Sequence, residues 1–552
     1  MPADATATTV ASAPSAPLPP QHVRNRLRAA RRHFRAVDTA LRRARTYDHP
    51  AGRIVRIETH ISVVYLAGRY AYKIMKPVDF GFVDFTQLAA RRRCCEAEIR
   101  LNRPLAGSIY VDVQPLVRDA RRCRLGGTDP ARVVDHAVKM RRFDQRMLFS
   151  KLLASGQLNA ADIDAAADRL AASYRRAPRV GPATPLGTAA LLRDTLLAPL
   201  ATLERDLHTG QTVRDAGLRK WCERELDRLG PCLDARRVDG FVRACHGDLH
   251  LDNLVRHGRH ALMFDCIEFN DTLRWIDVAN DLAFLYMDLL AHGRADLANR
   301  LLARYLEATG DHGSLPLLRL YVAYRALVRA MVAVLKDGAA RPAQGRETAY
   351  LDLAVAQTRP PRPALLLCHG FSGSGKSVAS RALAELSGAI RLSSDAERKR
   401  ARPFEPPDWR TLPSGAYTRD AVAALYERLA GLAGMVLDAG YTAIVDATFL
   451  KRAYRERFAA LAERVGVPML ILDFRIGRAC LAERVRARSL GPRDASDAGE
   501  AVLAAQLADA QPLSAAELAA TIAFDTGVPI DAFTRRAYWE PLFERMADAG
   551  SH

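Results

Sequence analysis

Apolar positions recur along this chain with two periods, and the changes of period mark its parts. Residues 52–116 carry β-type segments. Ile61-Ser-Val-Val-Tyr-Leu66 and Arg69-Tyr-Ala-Tyr-Lys-Ile74 are joined by Ala67-Gly68, which predicts a hairpin. A helical stretch, Ala89 to Leu101, lies beyond it. Residues 141–357 repeat at helical spacing and are broken once, by a polar, His/Asp-rich segment at 245–271. Gln357-Thr-Arg-Pro-Pro-Arg-Pro363 then removes backbone donors and disfavours helix, so 357–363 reads as an interdomain linker. After it come a short buried strand, Ala364-Leu-Leu-Leu-Cys-His369, a Gly-rich loop, and a helix predicted over Ser377 to Leu386. A second strand-like run, Thr442-Ala-Ile-Val-Asp446, ends on an acid. No repeat of fixed period is present.

The Gly-rich loop carries the sharpest chemistry. Gly370-Phe-Ser-Gly-Ser-Gly-Lys-Ser377 fits G-x4-G-K-S between a strand and a helix, the setting a phosphate-binding P-loop requires. Backbone N–H groups of Gly370, Ser372, Gly373, Ser374 and Gly375 are expected to face one concavity at a helix N-terminus. Lys376 is placed to reach the β- and γ-phosphates of ATP, and Ser377 to bind Mg²⁺. Asp446, at a strand C-terminus, is the candidate for holding that metal through water.

Between these two elements lies Arg391-Leu-Ser-Ser-Asp395-Ala-Glu-Arg398. With Asp446-Ala-Thr-Phe, it resembles the corresponding segments of small P-loop kinases: polynucleotide kinases, gluconate-type kinases and zeta-toxin-like kinases. The resemblance covers about 363–552. It implies that Asp395 accepts the proton of an acceptor hydroxyl and that Arg398 contacts a phosphate or the acceptor. It also implies that Arg484 and Arg488, in Leu481-Ala-Glu-Arg-Val-Arg-Ala-Arg488, form a lid over the transferring group. The short domain has no arginine-finger motif or repeated ATPase module, so a motor ATPase is not expected.

The polar interruption holds a second constellation. Cys245-His-Gly-Asp248-Leu-His-Leu-Asp-Asn253 places Asp and Asn five residues apart, with His two before the Asp. This is the H-x-D-x4-N pattern of a kinase catalytic loop, in which Asp248 faces the acceptor hydroxyl as base and Asn253 turns to Mg²⁺. Asp265, after the apolar run Ala261-Leu-Met-Phe264, fits the second metal ligand. Upstream, Lys73 on the second hairpin strand fits the lysine of the α- and β-phosphates. Its partner is a Glu of the next helix, Glu98 in preference to Glu96. Val138-Lys-Met140 fits the hinge strand whose backbone receives adenine.

These residues resemble the aminoglycoside phosphotransferase family, whose loop reads HGDxxxxN, over about 45–357. Ile57-Glu-Thr-His-Ile-Ser62, Lys76-Pro-Val-Asp-Phe-Gly-Phe82 and Asp277-Val-Ala-Asn-Asp-Leu-Ala-Phe284 belong to the same resemblance. The order of parts resembles bacterial chains described as bifunctional aminoglycoside phosphotransferase/ATP-binding proteins. The hairpin loop departs from a full GxGxxG. The implied architecture is α/β and α+β multidomain: a leader over 1–21 read as disordered, a protein-kinase-like N-lobe with an N-terminal helix over 22–140, a helical C-lobe over 141–356, the linker, and a P-loop domain with a parallel sheet over 364–552.

Composition adds limits. With 552 residues the chain exceeds one core, and 49% apolar with 26% charged residues is ordinary for a globular protein. No apolar stretch approaches a bilayer span, Met1–Pro20 lacks the marks of a signal peptide, and the nine cysteines form no CxxC pair, so a reducing cytoplasm is expected. The net charge of +19 suits phosphate handling. Arginines crowd Arg24–Arg45 at helical spacing, which reads as a solvated helix. The expectation is therefore an ATP- and Mg²⁺-dependent phosphotransferase with two phosphoryl-transfer modules. Its partner would be a small hydroxylated acceptor: a metabolite, a sugar or an antibiotic. Alternatives are one nucleotide-binding module controlling the other, or a nucleic-acid 5′-hydroxyl kinase. The last ranks third because no aromatic-rich basic patch accompanies the charge.

Overall fold

The computed structural model describes residues 21–59, 61–79, 84–119, 122–127, 129–206, 209, 213, 216–337, 346–402, 404–409, 415–490 and 500–548. The side chains of 21–27, 336, 337, 346 and 487–490 lie outside that description. The predicted leader therefore lies outside it almost entirely, as does Phe80-Gly-Phe82. The chain forms two compact units. One runs to Phe143 and takes in Glu268–Asn270; the other holds Asp144–Ile267 and everything from Asp271 onward.

The first unit is built on a six-stranded sheet of order β1-β2-β3-β6-β4-β5. Its strands are β1 (Val55–Glu58), β2 (Ser62–Ala67), β3 (Tyr70–Met75), β4 (Tyr110–Asp119), β5 (Arg122–Leu125) and β6 (Val133–Arg141). All pairings are antiparallel. The hairpin β2–β3 turns at Gly68, where φ is +55° and an added Cβ would meet the Pro50 carbonyl oxygen at 2.3 Å. Only glycine fits both demands. Helix Leu88–Ala106 is longer than the sequence pattern predicts and runs through Pro104. It packs on β4 and β6. Val37 and Leu41 of the arginine-rich helix Gln21–Leu41 join Tyr65, Tyr72 and Ile74 in one buried cluster, so that helix covers the sheet with one face and is not solvated all round.

The second unit holds the helical part and the C-terminal α/β part together. The helical part surrounds two small antiparallel pairs, β7 (Val242–Ala244) with β10 (Trp275–Asp277), and β8 (Leu254–His257) with β9 (His260–Met263). The proline-rich stretch joins helix Arg346–Ala356 to the first strand of the α/β part within this same unit. The α/β part is a five-stranded, wholly parallel sheet. Its strands are β11 (Leu365–His369), β12 (Ile390–Ser393), β13 (Ala443–Asp446), β14 (Met469–Arg475) and β15 (Thr521–Asp525), in the order β12-β13-β11-β14-β15. Near-continuous burial of β11 and β13 follows from helices covering both faces. Beside this sheet, the fully buried guanidinium of Arg455 holds Glu517 at 2.6 Å and bonds three backbone carbonyls.

All nine cysteines are free. Cys480 is exposed, Cys123 and Cys232 are half-buried, and the rest are buried. No described helix is long and apolar enough to cross a membrane.

Candidate functional site

Chain order in the parallel sheet brings the C-terminal ends of β11, β12 and β13 side by side, and the loops that leave them build a cleft. The cleft has a volume of about 470 Å³ and is lined by Gly373, Gly375, Lys376, Ser377, Asp395, Arg398 and Asp446 among others. Gly370, Gly373 and Gly375 have φ of +138°, +88° and +88°. A Cβ at Gly370 would meet the Phe474 carbonyl oxygen at 2.9 Å. Helix Lys376–Ser387 starts one residue earlier than the pattern predicts, with Gly375 at its N-cap. The Lys376 ammonium folds back over the loop and donates to the Phe371 carbonyl at 2.8 Å.

The loop is braced from outside. Gln506 accepts from the Ser372 amide and donates to its hydroxyl, each at 2.9 Å, and the Thr526 hydroxyl donates to the Ser374 carbonyl at 2.6 Å. Ser374 Oγ is buried with no partner among the described residues. A glycine-cradled loop, a helix N-terminus, an inward lysine and an unpartnered hydroxyl are a donor set that fits a polyphosphate. Ser377 and Asp446 supply hard oxygens of the kind Mg²⁺ takes, and the Ser377 hydroxyl reaches the Asp446 carboxylate. Burial presses that carboxyl upward, but Arg391, Lys376 and Ser377 outweigh it and hold Asp446 below the usual range.

Asp395 and Arg398 sit on helix Ser394–Lys399, which starts at the end of β12 and is capped by the Ser393 hydroxyl. Burial, with a smaller push from Asp446, raises the Asp395 carboxyl above its ordinary range despite Arg398 and Lys376. Arg398 lies 4.5 Å from the Tyr417 ring, and its Nε and Nη1 are buried without partners among the described residues. Arg484 is adjacent to Gly375 but donates to the Thr526 carbonyl at 2.9 Å, so its guanidinium braces the loop's surroundings. The Arg488 side chain lies outside the described residues.

In the helical part, Asp248 and Asn253 lie on one tight loop. Asn253 Nδ2 donates to the Asp248 carbonyl at 2.8 Å and to its carboxylate at 3.2 Å. His250 Nε2 stands 3.4 Å from the same carboxylate. Burial acts to raise the Asp248 carboxyl, but His250, His246 and Arg329 draw it below the usual range, while Asp248 outweighs burial at His250 and raises that imidazole. The hairpin β8–β9 returns the chain so that the Phe264 amide donates to the Asn253 carbonyl at 3.0 Å. Asp265 is the next residue, held at φ +65°, a backbone conformation that a non-glycine residue seldom takes.

The loop is pinned from helix Val278–Ala291. Asp281 accepts the amides of His246 at 3.1 Å and Gly247 at 2.8 Å, and the Tyr174 hydroxyl at 3.0 Å. Asp288, two turns on and so on the same helix face, accepts the Leu251 amide at 2.9 Å. Neither carboxylate stands out in the sequence as a site residue. The run Asp277–Phe284 contains Asp281, but its task depends on a loop more than thirty residues upstream. In the first unit, Lys73 Nζ donates to Glu98 Oε1 at 3.0 Å, and both are buried. Glu96 pairs instead with Arg92 at the surface. Met140 lies on β6 opposite Ala71 of β3.

The uncharacterized protein Rv2004c of Mycobacterium tuberculosis is 32% identical over 467 residues, which cover 82% of this chain and 90% of that one. The uncharacterized protein Mb2027c of Mycobacterium bovis matches to the same extent. The chain belongs to their family. Within it, residues 126–321 match the profile of the Phosphotransferase enzyme family, and residues 365–513 match that of an AAA domain, AAA_33. The first is a kinase-like phosphotransferase module and the second a P-loop module with a parallel sheet. Among solved structures, a choline/ethanolamine kinase family protein from Mesorhizobium loti is similar at 14% identity and a TM-score of 0.36, covering 59% of this chain and 96% of its own.

Proposed function

We propose that this family member is an ATP- and Mg²⁺-dependent phosphotransferase with two phosphoryl-transfer modules, each acting on a hydroxyl of a small molecule. The observation that carries the reading is the cleft at the P-loop, where Lys376, Asp395, Arg398 and Asp446 converge. In this reading the loop amides and Lys376 hold the phosphates, and Ser377 and Asp446 hold Mg²⁺. The metal, when bound, supplies charge neutralisation on the phosphates. Asp395 orients the acceptor hydroxyl and takes its proton. The acceptor oxygen bonds to the γ-phosphorus, the bond to the bridging oxygen breaks, and ADP leaves. Arg398, with two donors that no described residue takes, binds the acceptor or the moving phosphoryl group. Phosphoryl transfer asks mainly for positioning and charge compensation, and this set offers both.

In the phosphotransferase module, Asp248 is the proposed base and Asn253 and Asp265 the metal ligands. Lys73, oriented by Glu98, is the proposed phosphate ligand, and the Met140 backbone the proposed adenine partner. The Asp248 carboxyl, drawn below its usual range, is ionised at neutral pH, as a base requires.

An acceptor screen with γ-labelled ATP tests the reading. It should include sugars, small alcohols, aminoglycosides and 5′-hydroxyl oligonucleotides. Wild type should label one set of products that Asp248→Ala loses and another that Lys376→Ala loses. If neither variant changes any product, the two-module reading fails. A second reading, in which one module's nucleotide controls the other, is favoured by the contacts that tie helix Ala295–Thr309 to the P-loop module.

A further inference from the structure

We propose that Glu307, on helix Ala295–Thr309 of the phosphotransferase module, and Arg391, on β12, are positioning residues for the Asp446 carboxylate, so that metal loading at the P-loop depends on the neighbouring module. The inference rests on the reading of the P-loop as a nucleotide site.

Arg391 stands between two carboxylates from different modules. Its Nη2 donates to Asp446 Oδ2 at 2.5 Å, and its Nη1 lies 3.6 Å from Glu307 Oε1. Its Nε is committed to Ser380 Oγ at 2.9 Å. The side chain is nearly buried and Asp446 more so, so water screens this pair poorly. A guanidinium is one rigid plane, and with Nε bonded its Nη2 is in hydrogen-bond contact with Asp446 while Nη1 stands off Glu307. Glu307 and Asp446 therefore share the Arg391 charge, and Glu307 also has Arg381 3.9 Å from its carboxylate.

Glu307 is itself fixed. Arg304 lies 3.3 Å from its carboxylate, and Arg400 donates to its backbone carbonyl at 2.8 Å. The helix that carries it is fastened to helix Lys376–Ser387, because Arg300 bridges Asp164 and Glu385 at 2.6 and 2.8 Å and Asn299 donates to the Glu385 carbonyl. A crevice of about 150 Å³, lined by Glu307, Arg381 and Arg391, leaves room for the guanidinium to shift.

The consequence has a sign. With Glu307 present, part of the Arg391 charge is drawn away from Asp446, and the carboxylate is left more negative for Mg²⁺. Without Glu307, Arg391 neutralises Asp446 more fully and competes harder with the metal. Without Arg391, Asp446 faces the metal uncompensated. Opposite charge changes on one chain of contacts should move metal loading in opposite directions, whereas general loosening of the fold would weaken it in both.

The test is a Mg²⁺ titration of binding to a fluorescent N-methylanthraniloyl ATP, taking the component that Lys376→Ala removes. In Glu307→Gln, the Mg²⁺ concentration for half-maximal binding should rise about three- to tenfold, the scale of one partly buried ion pair. In Arg391→Gln it should fall, with Arg391→Lys near wild type. Equal midpoints in wild type and Glu307→Gln, or a shift in the same direction for Glu307→Gln and Arg391→Gln, would overturn the proposal. If Arg391→Gln does not fold, Glu307→Gln decides alone. A signal that survives Lys376→Ala would strike the nucleotide-site reading itself, and this inference with it.

Discussion

Replacing Asp281 by Asn is the sharpest probe of how the Asp248 loop is held. The carboxylate is fully buried and accepts three donors: the Gly247 amide on Oδ1, and the His246 amide and Tyr174 hydroxyl on Oδ2. An asparagine has one oxygen to offer. If that oxygen takes the His246 and Tyr174 side, the new NH₂ faces the Gly247 N–H at the position where an acceptor stood 2.8 Å away. Rotating the amide moves the conflict to His246. Either way a buried backbone donor loses its partner, and the bonds that remain lose the help of a charge. The cost is one charge-assisted bond plus one unsatisfied buried donor, together about 2–4 kcal/mol. Glu in place of Asp281 would keep the charge but not the reach. The assay is urea unfolding, together with hydrogen exchange of a peptide spanning 243–256. Asp281→Asn should lower the unfolding free energy by that amount and speed exchange at 246 and 247, while the Lys376-dependent nucleotide binding stays unchanged. A loss under about 1 kcal/mol with unaltered exchange in that peptide would refute the reasoning.

Other outcomes follow from the geometry. Lys376→Ala should weaken fluorescent ATP binding at the P-loop by more than about tenfold, measured by titration at fixed Mg²⁺, because it removes the ammonium that folds back over the loop. Turnover assigned to the P-loop module should rise with pH through a pKa above the ordinary Asp value, since Asp395 must be ionised to take a proton and its carboxyl is raised; a pH–rate profile flat from about pH 4 to 7 would contradict this. Glu517 is held at about 2 because Arg455 and the Ser514 amide outweigh the upward push of burial. A depressed acid stabilises the fold above its unfolded pKa. Its contribution is therefore lost as pH falls from about 4.5 toward 2, and Glu517→Gln should flatten that part of an acid-unfolding curve.

Much of the P-loop module was legible because its signals are local. The glycines, Lys376 and Ser377 are contiguous, and a strand and a helix flank them within a few residues. The hairpin that carries Lys73 was equally local, since Ala67-Gly68 lies between two alternating runs. What escaped the sequence is set by tertiary placement. Asp281 and Asp288 act only because helix Val278–Ala291 lies against the loop at 246–251. Arg391 reads as part of a substrate-side motif, yet it turns to Asp446 and Glu307, residues far from it along the chain. The arginine-rich helix Gln21–Leu41 reads as solvated because charge dominates its composition, but Val37 and Leu41 bury one stripe against the sheet. The proline-rich stretch at 357–363 lies between the two matched modules, and the helical and α/β parts on either side of it belong to one compact unit, because local stiffness says nothing about how much surface the flanking parts share.

The uneven burial of the cysteines has a practical consequence. Burial raises the thiols of Cys94, Cys95, Cys245 and Cys368, so few of them ionise near neutral pH and little reagent reaches them. Cys480 is exposed on helix Arg478–Leu490, whose Leu481 and Val485 pack with Phe371 of the glycine loop. A brief alkylation should therefore favour this one position. A dye attached there would sit on the helix that touches the loop, and its emission would report each filling and emptying of the cleft without any change to the residues that line it.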